Sequence, residues 1–196
     1  MLEALLTSTA LVAIAEIGDK TMLLAIVLAT RFHRPLPIIA GIFLATILNH
    51  ALAAWAGSLA AGFFAGQTFR IVVAASFIAM GLWTLVPDKL EEDEASRGRR
   101  FGPFVATLIA FFLAEMGDKT QVATVMLAAQ YPDFILVIIG TTLGMLIANV
   151  PVVLAGNFAA DRMPLTLIRR IAAIGFAALA LYAVYQALQL SGTLPV

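Results

Sequence analysis

Apolar residues in this chain come in long unbroken runs, not in the strict alternation of a half-buried strand or the narrow stripe of a surface helix. Six runs, bounded by charged or turn residues, cover Leu5 to Thr30, Leu36 to Ala60, Phe69 to Val86, Phe104 to Ala129, Phe134 to Phe158 and Ile168 to Leu190. Each is close to the roughly 20 residues that a helix needs to cross the hydrocarbon core of a bilayer. The pattern predicts six transmembrane helices. No basic stretch precedes the first run, which continues well past any small-residue cleavage site. It is therefore expected to stay as the first helix and not to be removed as a signal.

Composition strengthens this picture. Of 196 residues, 62% are hydrophobic and 12% charged, against about 45–50% and 25% in soluble domains. A water-soluble globule is excluded, and six spans plus loops leave no length for a further folded domain. Lys and Arg total 12, as do Asp and Glu. A balanced charge gives no nucleic-acid footprint. The absence of cysteine removes disulfides, thiolate metal sites and cysteine nucleophiles. Gly-rich phosphate loops and Walker signatures are missing too, so no nucleotide site is expected.

The sequence repeats itself. AEIGDKT at Ala15 to Thr21 returns as AEMGDKT at Ala114 to Thr120, 99 residues later. The same offset carries Leu28 to Leu127, Gly41 to Gly140, Gly57 to Gly156, Arg70 to Arg169, Phe77 to Phe176 and Leu82 to Leu181. Residues 1–87 and 104–196 are thus read as duplicated three-helix repeats, joined by a linker over residues 88–103. With an odd number of spans per copy, the second copy enters the membrane from the opposite face. The expected fold is an all-α integral membrane protein built from two inverted repeats. Arg31, Arg34, Lys89, Arg97, Arg99, Arg100, Arg162, Arg169 and Arg170 fall in loops on one face, and only Arg70 on the other. By the positive-inside rule the first face, with the central loop, is cytoplasmic and both termini lie outside.

Both motifs sit near the midplane, where an ionised side chain costs about 2.5–3.5 kcal/mol. Glu16, Asp19, Lys20, Glu115, Asp118 and Lys119 make six such groups. Along a continuous helix Asp19 lies roughly 60° from Glu16 on one side and Lys20 about 40° on the other, so all three share a face. Gly18 and Gly117 admit a close backbone approach, or let the helix unwind and aim carbonyls at a ligand. Pseudo-symmetry should bring the motifs together at the repeat interface. Four carboxylates and two ammonium groups leave a formal charge of −2. A divalent cation would neutralise it, and protons would take its place when it leaves. This competition is the physical basis for metal/proton antiport.

Carboxylates, the hydroxyls of Thr21 and Thr120 and the amide of Gln121 are hard oxygen donors suited to Ca²⁺, Mn²⁺ or Mg²⁺. Lys20 and Lys119 read as counter-ions, either fixed or acting as tethered substitute cations. Met22 and Met116 read as packing residues. A salt-bridge network that only fastens two helices is the plainer reading of the motifs, but it leaves two acids uncompensated. His50 and Asn149, again 99 apart, read as packing or interhelical hydrogen-bonding groups, with metal ligation or proton relay as the alternative. Thr46, Thr141, Thr142, Ser76 and Gln186 read as ordinary helix-bonding residues. Trp83, Tyr131, Tyr182 and Tyr185 read as interfacial anchors. The acids from Asp88 to Glu94 read as a solvated loop, or as a weak attractor of cytoplasmic cations.

The duplicated Glu-x-Gly-Asp-Lys-Thr pattern resembles the Glu-x-Gly-Asp-[Lys/Arg]-[Thr/Ser] signature of a family of small cation/proton exchangers. That family includes a Golgi transporter linked to a congenital glycosylation disorder and bacterial manganese exporters. The resemblance covers both halves and the acidic central loop. It implies six helices, Mn²⁺ and Ca²⁺ as substrates, proton exchange, and cation coordination by Glu16, Asp19, Thr21, Glu115, Asp118, Thr120 and the following Gln121. Eukaryotic members carry a long N-terminal targeting segment that this sequence lacks, so a bacterial plasma-membrane protein exporting manganese is expected, with calcium open beside it. No cofactor, no catalysis and no nucleic acid are expected, and a homo-oligomer is compatible with the chain. Three other readings compete: an exporter of a cationic small molecule such as an amino acid, a passive cation channel, and an intramembrane aspartyl protease. The last is disfavoured by a lysine beside each aspartate.

Overall fold

The computed structural model describes residues 2–63, 67–86, 101–155 and 165–190. All regular structure among them is helical: α1 (Leu2–Glu16), α2 (Lys20–Phe32), α3 (Pro35–Phe63), α4 (Gln67–Thr84), α5 (Pro103–Glu115), α6 (Lys119–Gln130), α7 (Phe134–Ala155) and α8 (Leu165–Leu190). The acids from Asp88 to Glu94, together with Lys89, Arg97, Arg99, Arg100 and Arg162, lie outside the described residues.

Among the described residues eight helices arise from six runs, because the first and fourth runs are each broken in the middle. Gly18 and Gly117 take φ of 86° and 75°, a left-handed conformation open to glycine without the usual Cβ clash. Asp19 and Asp118 then turn the chain to extended φ/ψ of −83°/170° and −78°/167° and stand as N-caps of α2 and α6. Aspartate is among the preferred residues at that position. Glu16 and Lys20 therefore belong to different helices. The single face expected to carry Glu16, Asp19 and Lys20 does not exist; local unwinding at the glycine takes its place.

The segments Pro35–Gly62 and Phe134–Ala155, with mean hydropathies of 1.9 and 2.1, are long and apolar enough to cross a membrane. Phe43, Leu48, Leu52 and Trp55 on α3 and Ile139, Leu143, Ile147 and Leu154 on α7 are exposed. Rows of exposed apolar side chains call for apolar surroundings.

Helices α3 and α7 form the centre. The first half-helix of each half of the chain lies on the long helix of the other half. On α7, a Cβ at Gly140 would stand 2.7 Å from the Leu5 carbonyl, and one at Gly144 would stand 2.7 Å from the Thr9 carbonyl, both on α1. On α3, a Cβ at Gly41 would come within 2.8 Å of the Phe104 carbonyl on α5. Further along α3, Gly57 touches the carbonyl of Val125 on α6. Small residues permit such backbone approaches between membrane helices. Helices α4 and α8 pair with each other, and Phe77 meets Phe176 with ring centroids 6.5 Å apart.

These contacts define two ends. At the Tyr131 end stand the start of α1, the finish of α6, and the joint of α6 with α7. At the His33 end stand the finish of α2 and the start of α5. Half-helices α1 and α5 thus enter from opposite ends and stop in the middle.

Candidate metal centre

Each break converts a helix into two half-helices whose ends face the interior. Glu16 and Glu115 close α1 and α5, and both are fully buried. The Asp19 N–H donates to the Glu16 carbonyl at 3.0 Å, and the Asp118 N–H donates to the Glu115 carbonyl at 3.1 Å. Asp19 caps α2 with its side chain, Oδ1 accepting the Lys20 N–H at 2.7 Å, whereas Asp118 makes no side-chain cap hydrogen bond. Starting α2 and α6 at the aspartates places positive helix ends beside the carboxylates.

The glutamates are held from across each break. Thr21 donates its hydroxyl to Glu16 Oε2 at 2.5 Å, and Thr120 donates to Glu115 Oε2 at 2.9 Å. The lysines reach further. Lys20 Nζ lies 3.8 Å from Asp118 Oδ1, and Lys119 Nζ lies 3.5 Å from Asp19 Oδ1. Each motif's lysine therefore pairs with the other motif's aspartate, and the motifs meet face to face as the repeat predicts.

The second oxygen of every acid is the telling feature. Glu16 Oε1, Asp19 Oδ2, Glu115 Oε1 and Asp118 Oδ2 are buried without a hydrogen-bond partner among the described residues. Buried acceptors are almost always satisfied, because an unpaired one costs about 1–3 kcal/mol and a charged one more. Glu16, Asp19 and Asp118 can each present one carboxylate oxygen such that all three lie within 4.8 Å of one another. That spacing suits donors around a single ion of oxygen-preferring type.

Gln121 has its side-chain oxygen committed to the backbone. Its Oε1 accepts the Gly117 N–H at 2.7 Å and so braces the second break. The equivalent position, Met22, does the same for the first break, its sulfur accepting the Gly18 N–H at 3.4 Å. Met22 is buried and Met116 is 56% exposed. Read from sequence as packing, Met22 thus has a bracing role that only the repeat offset linking it to Gln121 could have suggested.

His50 is fully buried, with neither ring nitrogen hydrogen-bonded among the described residues, and its Nε2 lies 4.0 Å from Glu115 Oε2. Of the packing or hydrogen-bonding role expected of it, the ring is packed in the interior, and no hydrogen bond is found among the described residues. Asn149 does hydrogen-bond, but within its own helix, to the Met145 carbonyl at 3.1 Å and its sulfur at 2.9 Å. The interhelical amide is Asn49, which donates to the Phe112 carbonyl at 2.9 Å; its repeat equivalent is alanine, so the offset gave no signal. Ser76 and Thr141 bond their own helices at Val72 and Val137 as expected. Gln186 does not: its Oε1 accepts from Arg70 on α4 and, at 2.9 Å, from Gln130 on α6. Trp83, Tyr182 and Tyr185 are exposed, but Tyr131 is buried in the apolar cluster of its end and is no surface anchor.

Known proteins resemble this chain along most of its length. A relative from Vibrio cholerae, named as a candidate manganese exporter, is 54% identical over 182 residues, covering 92% of this chain and 90% of its own. A GDT1-like protein of Synechocystis is 29% identical over 186 residues, covering 83% and 87%. The divalent cation/proton antiporter GDT1 of Saccharomyces cerevisiae is 24% identical over 238 residues, covering 95% and 85%. No solved structure matches the chain. The profile of the divalent cation/proton antiporter GDT1 family matches residues 4–92 and 103–191, one motif in each segment. The chain belongs to that family of antiporters.

Proposed function

We propose that the protein is a secondary transporter that exports divalent cations, Mn²⁺ foremost, in exchange for protons. The observation that carries this reading is the set of four buried carboxylates, two from each break, each with one oxygen unpartnered among the described residues. A cation bound there is held by Glu16, Asp19, Glu115 and Asp118. Thr21 and Thr120 fix the orientation of the glutamates. Lys20 and Lys119 balance part of the charge. Protons compete for the same oxygens, so lower pH weakens metal binding and higher pH strengthens it. One competing proton gives at most about a tenfold change in apparent affinity per pH unit.

In this proposal the bilayer holds six spans: α1–α2, α3, α4, α5–α6, α7 and α8. They form two inverted three-span repeats, 1–87 and 104–196, with the metal site at the midplane between them. Arg31, Arg34 and Arg170 at the His33 end face the cytoplasm, Arg70 faces outside, and the bacterial inner membrane is the location. The names of the relatives support manganese export, and the oxygen-rich acids leave calcium as a second cargo. The tight spacing of three acids within 4.8 Å favours a bare ion over an organic cation. The crossed lysine pairs keep Asp19 and Asp118 from sharing a proton as a protease dyad does.

The test is transport in proteoliposomes that contain a pH-sensitive dye, with Mn²⁺ and then Ca²⁺ added. Metal flux coupled to opposite proton movement is expected. Flux of metal without proton movement would replace the antiporter with a channel, and an unchanged rate in Glu16→Gln would remove the site.

A further inference from the structure

An all-oxygen site does not separate Mn²⁺ from Ca²⁺ or Mg²⁺, because all three accept carboxylates. One imidazole stands beside Glu115. His50 lies on α3, fully buried, with both ring nitrogens lacking a hydrogen-bond partner among the described residues. Its Nε2 is 4.0 Å from Glu115 Oε2, too long for a hydrogen bond. Two donors bound to the same ion at about 2.0–2.6 Å each commonly stand about 3–4 Å apart, depending on the angle between them. Among the described residues no hydrogen bond compensates the burial of the imidazole.

We infer that His50 is a nitrogen ligand of the transported ion, bound through Nε2 beside Glu115, and that it selects transition-metal ions over Ca²⁺ and Mg²⁺. Resting on the transport reading above, this inference deepens it. Ca²⁺ and Mg²⁺ take oxygen ligands almost exclusively, whereas imidazole is a ligand of first-row transition metals. The site is asymmetric in this respect. The repeat equivalent of His50 is Asn149, whose amide nitrogen is committed to Met145. One repeat therefore offers an imidazole and the other an amide already bonded within its own helix, and the cation meets imidazole from one side only.

The chain contains just two histidines, and His33 lies exposed at the end of α2. Nitrogen labelling of histidine therefore reports on His50 at the acidic site. Purified protein carrying ¹⁵N-histidine is loaded with one Mn²⁺ and read by pulsed electron paramagnetic resonance. A directly coupled ¹⁵N is expected, and it is expected to vanish in His50→Asn. In the same variant Mn²⁺ affinity falls about tenfold or more, while Ca²⁺ affinity changes less than about twofold because calcium takes oxygen ligands. Bound Mn²⁺ with no histidine nitrogen coupling in the unsubstituted protein overturns the inference, and that experiment requires no variant to fold. Equal losses of Mn²⁺ and Ca²⁺ affinity in His50→Asn overturn the selectivity. Glu16→Gln separates the two layers. If it leaves Mn²⁺ affinity intact, the carboxylate site itself fails; if it abolishes binding while the nitrogen coupling is absent from the unsubstituted protein, only His50 is excluded.

Discussion

The two ends of the molecule are built from equivalent sequence and packed differently. At the Tyr131 end, α8 rests on α1 and α4 rests on α6. The apolar cluster there draws Val73, Ala74, Phe77 and Met80 from α4 and Phe176, Ala180 and Ala183 from α8. At the His33 end, α2 and α5 make no comparable contact with the α4–α8 pair among the described residues. Their cluster, which includes Leu24, Leu28, Ile42, Phe111 and Met145, takes nothing from α4 or α8 among the described residues. Gln186, Arg70 and Gln130 tie three helices together at the Tyr131 end. Their repeat equivalents are Pro87, Arg169 and Arg31, a set that cannot reproduce the bond. The paired helices therefore lean toward one end. An antiporter needs this kind of difference, because a buried site becomes reachable from alternate sides only if two related packings can exchange.

The largest effect is expected where both ends meet. Glu16→Gln and Asp118→Asn each remove one charge from the shared centre, and each should lower Mn²⁺ efflux by about 100-fold or more while the protein still inserts. Flux in vesicles, with membrane insertion measured separately, checks this. If a half-site sufficed, only one of the two substitutions would matter.

Next comes the contact of α1 with α7. Gly144→Leu would drive a side chain into the Thr9 carbonyl and the Val12 Cβ, 2.7 and 2.9 Å from the Cβ position. Overpacking of this kind costs about 1–3 kcal/mol, read as a lower melting temperature in detergent. Gly62→Ala, where nothing lies within 4 Å, should leave that temperature unchanged.

The asymmetry of the ends can be probed more gently. Because the chain has no cysteine, a cysteine placed at Ala128 in the Tyr131-end cluster reports opening of that end. Gln186→Leu removes a hydrogen bond to a charged group, worth about 1.5–3 kcal/mol, and should raise labelling of that cysteine by a water-soluble maleimide about tenfold or more. An unchanged rate would mean that apolar packing alone closes the end.

The smallest effect separates the two breaks. Thr21→Val and Thr120→Val each delete a hydroxyl donated to a glutamate, at 2.5 and 2.9 Å. Each should weaken Mn²⁺ binding several-fold, on the order of 1 kcal/mol, with the shorter bond at Thr21 giving the greater loss. Titration of both variants by calorimetry decides it.

The parts of this organisation visible in the sequence were those written as runs and as repetition. Six apolar runs located the helices, and the 99-residue offset brought Glu16, Asp19, Glu115 and Asp118 together before any contact was known. The breaks at Gly18 and Gly117 were half legible. Gly followed by Asp both stops and starts a helix, yet the apolar pattern runs straight through it. Relations between helices distant in sequence were not legible. Gln186 joins α8 to α4 and α6, and Tyr131 is buried in a cluster shared with residues of α1, α4, α7 and α8, so neither fact has a local signature. His50 was flagged by its repeat position, but the sequence could not show that its ring would lack a hydrogen-bond partner among the described residues.

The crossed pairing of Lys20 with Asp118 and Lys119 with Asp19 has a genetic corollary. If the gene were cut between residues 87 and 104, each product would carry an ammonium and an aspartate whose mates reside on the other polypeptide. Co-expression of both pieces should then restore manganese tolerance to a sensitive cell, and neither piece alone should do so.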